Sequence, residues 1–206
     1  MVQNKDGAEG KRRGRPRAYD PAAALAQARD AFWRHGYSGT SLDEISAATG
    51  MNRPSLSAAF GDKRAIYVAA LRDYWLAKYA TMDRELAAPT LKEALLGVYD
   101  AALSLYVTDG EEGRGCFVVG TAITEAVDDA EIRAISQQGF AAMDAKFAAR
   151  IEAARVSGEI AADSDVESLA RLATATMHTL AVRARAGTPC GDLREMARKA
   201  VALICR

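Results

Sequence analysis

Histidine is almost absent from this chain of 206 residues: His35 and His178 are the two it has, in unrelated segments and with no plausible nucleophile beside either. No GxSxG, HExxH, P-loop or GxGxxG arrangement occurs, so the reading favours no enzyme, assigns no catalytic residue and implies no metal or cofactor. Cysteine is scarce as well. Cys116, Cys190 and Cys205 are odd in number and lack CxxC spacing, which argues against a disulfide framework and a zinc site. Cys116, directly after Gly115, is either an oxidisable thiol or simply packed. No apolar run approaches the roughly 18 residues of a membrane span, and the polar, basic N-terminus lacks the apolar stretch of a secretory signal. The expected address is the cytoplasm, with no membrane partner. Neither charge sign is in excess, with 27 Lys/Arg against 27 Asp/Glu.

That neutrality hides an asymmetry. Residues 1–80 carry 13 Lys/Arg against 8 Asp/Glu, a balance of +5, and the remainder is therefore at −5. A basic front on an acidic rear fits a chain that meets a polyanion at one end, although charge runs are also common on merely solvated faces.

Strand-like alternation and fixed-period repeats are missing, whereas helix signals recur throughout. The periodicity predicts an all-α chain of about nine helices, near 20–35, 42–49, 54–60, 62–85, 90–108, 116–127, 129–156, 165–186 and 192–205. An acceptor side chain followed three residues later by Glu marks starts at Ser41/Glu44, Thr90/Glu93, Asp128/Glu131, Ser164/Glu167 and Asp192/Glu195. Breaks fall at Ala88-Pro89, at 109–115, at Ser157-Gly158 and at 187–191.

Two features name a partner. Residues 41–60, SLDEISAATGMNRPSLSAAF, form two short apolar-periodic helices around Gly50, with Leu42, Ile45, Met51, Leu56 and Phe60 inward and Pro54 in the first turn of the second helix. Upstream, five of the seven residues from Lys11 to Arg17 are basic. The pair points to duplex DNA. Within the basic run Gly14-Arg15-Pro16-Arg17 resembles the core of an AT-hook. It reads as a minor-groove arm, with Arg13, Arg15 and Arg17 as contacts, or as a solubilising tail.

The stretch 14–71 resembles the DNA-binding domain of the TetR family of transcriptional regulators. Gly36-Tyr37 after the first helix, Thr40, Ala48-Thr49-Gly50, and Phe60-Gly61-Asp62-Lys63 leading into the fourth helix carry the likeness. The rear resembles the family's variable regulatory region more loosely, through Arg114-Gly115-Cys116-Phe117-Val118-Val119. The chain is then expected to divide into a basic arm at 1–18, disordered without DNA, and, as the resemblance implies, a helix-turn-helix domain at 19–65 and a helical regulatory and dimerisation domain at 66–206. The resemblance also implies that residues 41–49 brace the domain and that 53–60 enter the major groove.

The DNA-contacting candidates are then Thr40, Ser41, Asn52, Arg53, Ser55, Ser57 and Lys63. Arg53 is the leading base or phosphate contact, and Ser55 reads as a contact or, alternatively, as a mere helix-start residue. Ser57 stands where family members commonly carry Tyr, so a phosphate-contacting phenol is missing. By resemblance the last two helices pair with their twofold mates, through Leu169, Leu172, Thr176, Leu193, Met196, Ala200 and Ile204, although the stripe from Leu193 to Ile204 fits intramolecular core as well. A small-molecule effector is implied in the rear. Phe117, Thr121, Met143, Phe147 and His178 are its candidate contacts or else core, and Glu125 and Asp144 read as solvated. The function implied is a homodimeric repressor released from a palindromic operator by that effector. The competing reading is a sequence-indifferent architectural protein binding through its arm.

Overall fold

In a computed structural model of the full chain, the described residues are 20–107 and 113–206; the predicted arm, with Arg13, Arg15 and Arg17, lies outside them. The described residues are helical and carry no strand. The order is α1 (Pro21–His35), α2 (Leu42–Thr49), α3 (Arg53–Phe60), α4 (Lys63–Leu86), α5 (Leu91–Tyr106), a π-helical turn (Val118–Ala122) running into α6 (Ile123–Glu125), α7 (Ala130–Ser157), α8 (Val166–Arg185) and α9 (Cys190–Ile204).

Most helix ends fall within two residues of the positions read from sequence, because their caps are local. The Ser41/Glu44 and Thr90/Glu93 capping boxes both form. Three other starts are displaced. Asp129, not Asp128, caps α7 by accepting from the amides of Glu131 and Ile132. Asp165 replaces Ser164 before α8. At α9 the chain is already helical from Cys190, which leaves Asp192 inside the first turn.

The segment expected as a helix over 116–127 is also altered. Thr121 donates its hydroxyl to the Phe117 carbonyl at 2.7 Å and shares a 2.7 Å hydrogen bond with the Tyr67 hydroxyl. The backbone there closes as a wide turn, with the Ile123 amide donating five residues back to Val118.

The long α4 joins the two halves. Its 24 residues span about 36 Å. The boundary expected at 65/66 lies three residues inside this unbroken helix. Phe32 and Trp33 of α1, Tyr67 and Tyr74 of α4, and Phe117 pack together with ring centroids 5.1–5.6 Å apart. All five are buried, and each contributes roughly 1.5–3 kcal/mol through burial of its ring. Behind them α5, α7, α8 and α9 enclose a second part of the core. There Tyr99 lies 6.5 Å from the Phe147 ring and donates its hydroxyl to the Ala173 carbonyl at 3.0 Å.

α9 turns Leu193, Ala197, Val201 and Ile204 inward against α5 and α8. Leu193 and Ile204 are therefore intramolecular core rather than interface residues, being 0% and 1% exposed within one chain.

Candidate nucleic-acid interface and interior cavity

The connection between α2 and α3 is fixed by its own side chains. Gly50 takes the left-handed conformation (φ 65°, ψ 10°) that a Cβ would strain. The Thr49 hydroxyl donates to the Ile45 carbonyl at 2.8 Å and accepts from the Met51 amide at 3.3 Å, while Ser46 donates to the Met51 carbonyl. Asn52 caps α3 by accepting from the Ser55 amide at 2.9 Å, which leaves its NH₂ group unengaged by the cap. With Leu56 buried and Ile45 and Met51 beneath it, Asn52, Arg53, Ser57 and Ala58 face outward and Ser55 is half-buried. The surface is short and polar, as a helix entering a groove requires.

Arg53 is not idle in the free protein. Its Nε and Nη2 donate to the two carboxylate oxygens of Asp43 on α2, at 2.6 and 2.5 Å, with both side chains exposed. The hydrogen bond to Arg53 holds the Asp43 carboxyl below the usual carboxylate range. Sequence reading missed Asp43; an opposite charge ten residues away across a tight turn was its signal.

Two expected contacts change role. Thr40 is 1% exposed, and its hydroxyl donates to the Gly36 carbonyl at 2.7 Å, so its side chain braces the α1–α2 loop and does not face a groove. Lys63 is half-buried and donates to the carbonyls of Tyr37 and Thr40, both at 2.9 Å, with its ammonium 4.3 Å from the Tyr37 ring centroid. It stitches α4 to that loop, and only the third N–H of its ammonium remains for a phosphate. Ser41 is exposed, and its oxygen accepts from the Glu44 amide at 3.2 Å, leaving the hydroxyl proton outward.

The rear holds a cleft of about 470 Å³ between α1, α4, α5 and α8. Trp33, Tyr74, Met82, Val98, Leu105 and Met177 supply apolar wall, and Arg29, Lys78 and Arg84 supply cations. None of the five effector contacts expected from sequence lines it. Phe117, Thr121, Met143 and Phe147 are 0–3% exposed, all within packed core. His178 faces a separate shallow hollow with Phe140 and Asp144, its ring edge-on to Phe140 at 5.0 Å. Burial, assisted by the Lys78 charge, holds its pKa below the ordinary histidine value. The cleft's cations come from α1 and α4, up to 55 residues apart between Arg29 and Arg84 and sharing no motif, so periodicity gave them no prominence.

On the outer side of α8, Leu172 (43% exposed), Ala175, Thr179 and Val182 (54% exposed) form an unpartnered stripe, and Leu203 of α9 is 53% exposed. Of the interface candidates read from sequence, Leu172 belongs to this stripe. Leu169, Met196 and Ala200 are half-buried, and Thr176 is buried with its hydroxyl donating to the Leu172 carbonyl at 2.9 Å.

Residues 24–70 match the family described as bacterial regulatory proteins of the tetR family, and residues 92–201 match the tetracyclin repressor-like C-terminal domain. The HTH-type transcriptional repressor ComR of Escherichia coli K12 is 30% identical over 91% of this chain and 90% of its own length. The uncharacterized HTH-type transcriptional regulator YezE of Bacillus subtilis 168 is 29% identical over 77% of this chain and 82% of its own. Among solved structures, a cysteine mutant of the TetR family transcriptional regulator CifR, complexed with 26-base-pair double-strand operator DNA, superposes with a TM-score of 0.77. It is 31% identical and covers 91% of this chain and 98% of that one. Helix order, the turn at Gly50 and matches spanning both halves agree: the chain belongs to the TetR family of transcriptional regulators.

Proposed function

We propose that this protein is a cytoplasmic, sequence-specific DNA-binding repressor that acts as a homodimer. It leaves a palindromic operator when a small molecule fills the cleft between α1, α4, α5 and α8. The observation that carries the DNA-binding part is α3, which buries Leu56 while presenting Asn52, Arg53 and Ser57 on its outer surface. Ser41, Ser55 and the remaining donor of Lys63 flank that surface and are suited to phosphate. The basic arm adds sequence-independent attraction.

The dimer part rests on the exposed stripe of α8 and on Leu203, apolar groups gathered on neighbouring helices. A twofold pairing there sets two copies of α3 about 34 Å apart, one turn of duplex. The sensing part rests on the cleft, which is bounded by α4, the helix that also holds the α1–α2 loop of the DNA-binding half through Lys63. An effector works by binding one spacing of the two heads more tightly than the other.

Selection from random duplexes, followed by footprinting, tests the reading. The expected result is one inverted repeat bound at least about 10³-fold more tightly than unrelated DNA. Uniform binding across sequences, removed by deletion of residues 1–17, would replace it with the architectural reading.

A further inference from the structure

The cleft is apolar over most of its wall and carries a single charge without a counter-charge among the described residues. Three cations line it. Arg29 donates through Nη1 to Asp73 at 2.9 Å, and Arg84 pairs with Glu85 at 2.8 Å, so both are balanced by neighbours. Lys78 is different. Its ammonium donates to the Tyr106 hydroxyl at 3.2 Å and lies 5.7 and 5.9 Å from the Tyr106 and Tyr74 ring centroids. Those contacts are with neutral groups. Burial pushes both phenols well above their ordinary pKa, so neither supplies negative charge, and it pushes the Lys78 amine below the ordinary lysine value. No carboxylate is among the described lining residues. In the same lining, Arg29 keeps a buried Nε that finds no hydrogen-bond partner among the described residues. A cation held in such surroundings is unfavourable unless something anionic joins it.

We infer that the cleft takes a small amphipathic monoanion, a carboxylate on an apolar body, with the acid group against Lys78 and the Tyr106 hydroxyl and the body against Trp33, Met82, Val98 and Met177. The inference rests on the effector reading above and gives that effector a chemical class. One cation without a counter-charge among the described residues selects one negative charge. With Arg29 and Arg84 already paired to carboxylates, a highly charged phosphate ester would meet one unpaired cation among the described residues, whereas the apolar wall rewards carbon. A neutral ligand of the same shape would leave the lysine uncompensated, so discrimination between acid and amide is the signature.

Octanoate and phenylacetate, each beside its primary amide, probe the full-length protein in thermal unfolding, with operator affinity read in parallel. The acids are expected to raise Tm by about 3 °C or more at saturation, and the amides to raise it far less. Lys78→Met replaces the cation with an apolar side chain of similar length and should fold, yet lose the response to acids. Lys78→Arg should recover part of it. Weakening of operator binding by about 5-fold or more in the same titration identifies the anion as effector. A Tm rise without that weakening supports the anion site and sinks the effector reading. Equal effects of acid and amide, a Lys78→Met protein that still responds to acids, or no response to either acid overturns the anionic class. In the first of these cases the sensing cleft survives as a neutral one.

Discussion

Arg64, the second residue of α4, grips Asp129, the cap of α7, through two parallel hydrogen bonds of 2.6 and 2.9 Å, and its Nη2 also reaches Glu131 at 2.8 Å. The DNA-reading end of α4 is thereby clamped to the start of the longest helix in the rear half.

The clamp gives a pH dependence with a definite sign. Hydrogen bonds from Arg64, then from the α7 amides, lower the Asp129 carboxyl to about 2. A group depressed on folding stabilises the native state above its unfolded value near 3.9, and that contribution fades as pH falls toward about 2. Asp129→Asn keeps the cap, because Asn caps as well as Asp, and removes the charge pairing. The Tm difference between wild type and Asp129→Asn should be constant above pH ~5 and shrink steadily between pH ~4 and ~2. A difference independent of pH across that range would contradict this assignment.

Arg53 and Asp43 form an exposed ion pair between α2 and α3. Arg53→Ala should weaken binding to the selected operator about 10-fold or more while changing affinity for unrelated duplex much less. Asp43→Asn releases the guanidinium from its internal partner. Affinity for unrelated duplex should then rise several-fold with a steeper salt dependence, eroding discrimination. Fluorescence anisotropy at two or more salt concentrations measures both. Unchanged binding in Arg53→Ala would remove α3's arginine from the interface.

Gly139 lies in the middle of α7, where a Cβ would fall 2.1 Å from Cε2 of Trp75 on α4. Trp75 is itself wedged against Tyr79 and Phe140, at 5.6 and 5.7 Å between centroids, and has little room to retreat. Gly139→Ala should therefore cost about 1–3 kcal/mol, despite the better helix propensity of alanine. Urea unfolding followed by tryptophan emission reports it; a stabilised variant would mean that α7 can shift away freely.

Leu172 and Val182 are the exposed apolar side chains of the α8 stripe. Replacing both with Arg should leave a folded monomer in sedimentation at micromolar concentration, with helical content unchanged and operator affinity reduced at least about 100-fold, because each head then binds alone. A variant that remains dimeric would move the interface elsewhere.

What sequence discloses here follows the range of the forces involved. The helix-turn-helix was legible because Ile45, Gly50, Met51 and Leu56 lie within a dozen residues and fix one another. The roles of Thr40 and Lys63 were not, because each is set by a carbonyl that only the folded loop offers. Phe117, Met143 and Phe147 have the composition of a cavity wall, yet the same residues make core. Which of the two they became depended on how α5, α7 and α8 close. The chemically distinctive part of the cleft, Lys78 beside Tyr106, joins positions 28 residues apart that share no motif.

Lys78 and Lys63 stand 15 residues apart on one unbroken helix, about 22 Å along its axis. One bounds the chamber and the other fastens the α1–α2 loop of the DNA-binding half. A rod so anchored magnifies small motions: tilting it by about 5° around the chamber displaces its far end by about 2 Å, within the range of interface helix shifts that switch known regulators. Under the effector mechanism proposed above, this one stiff rod spans the distance, and the Arg64–Asp129 pair ties any motion of its far end to the start of α7.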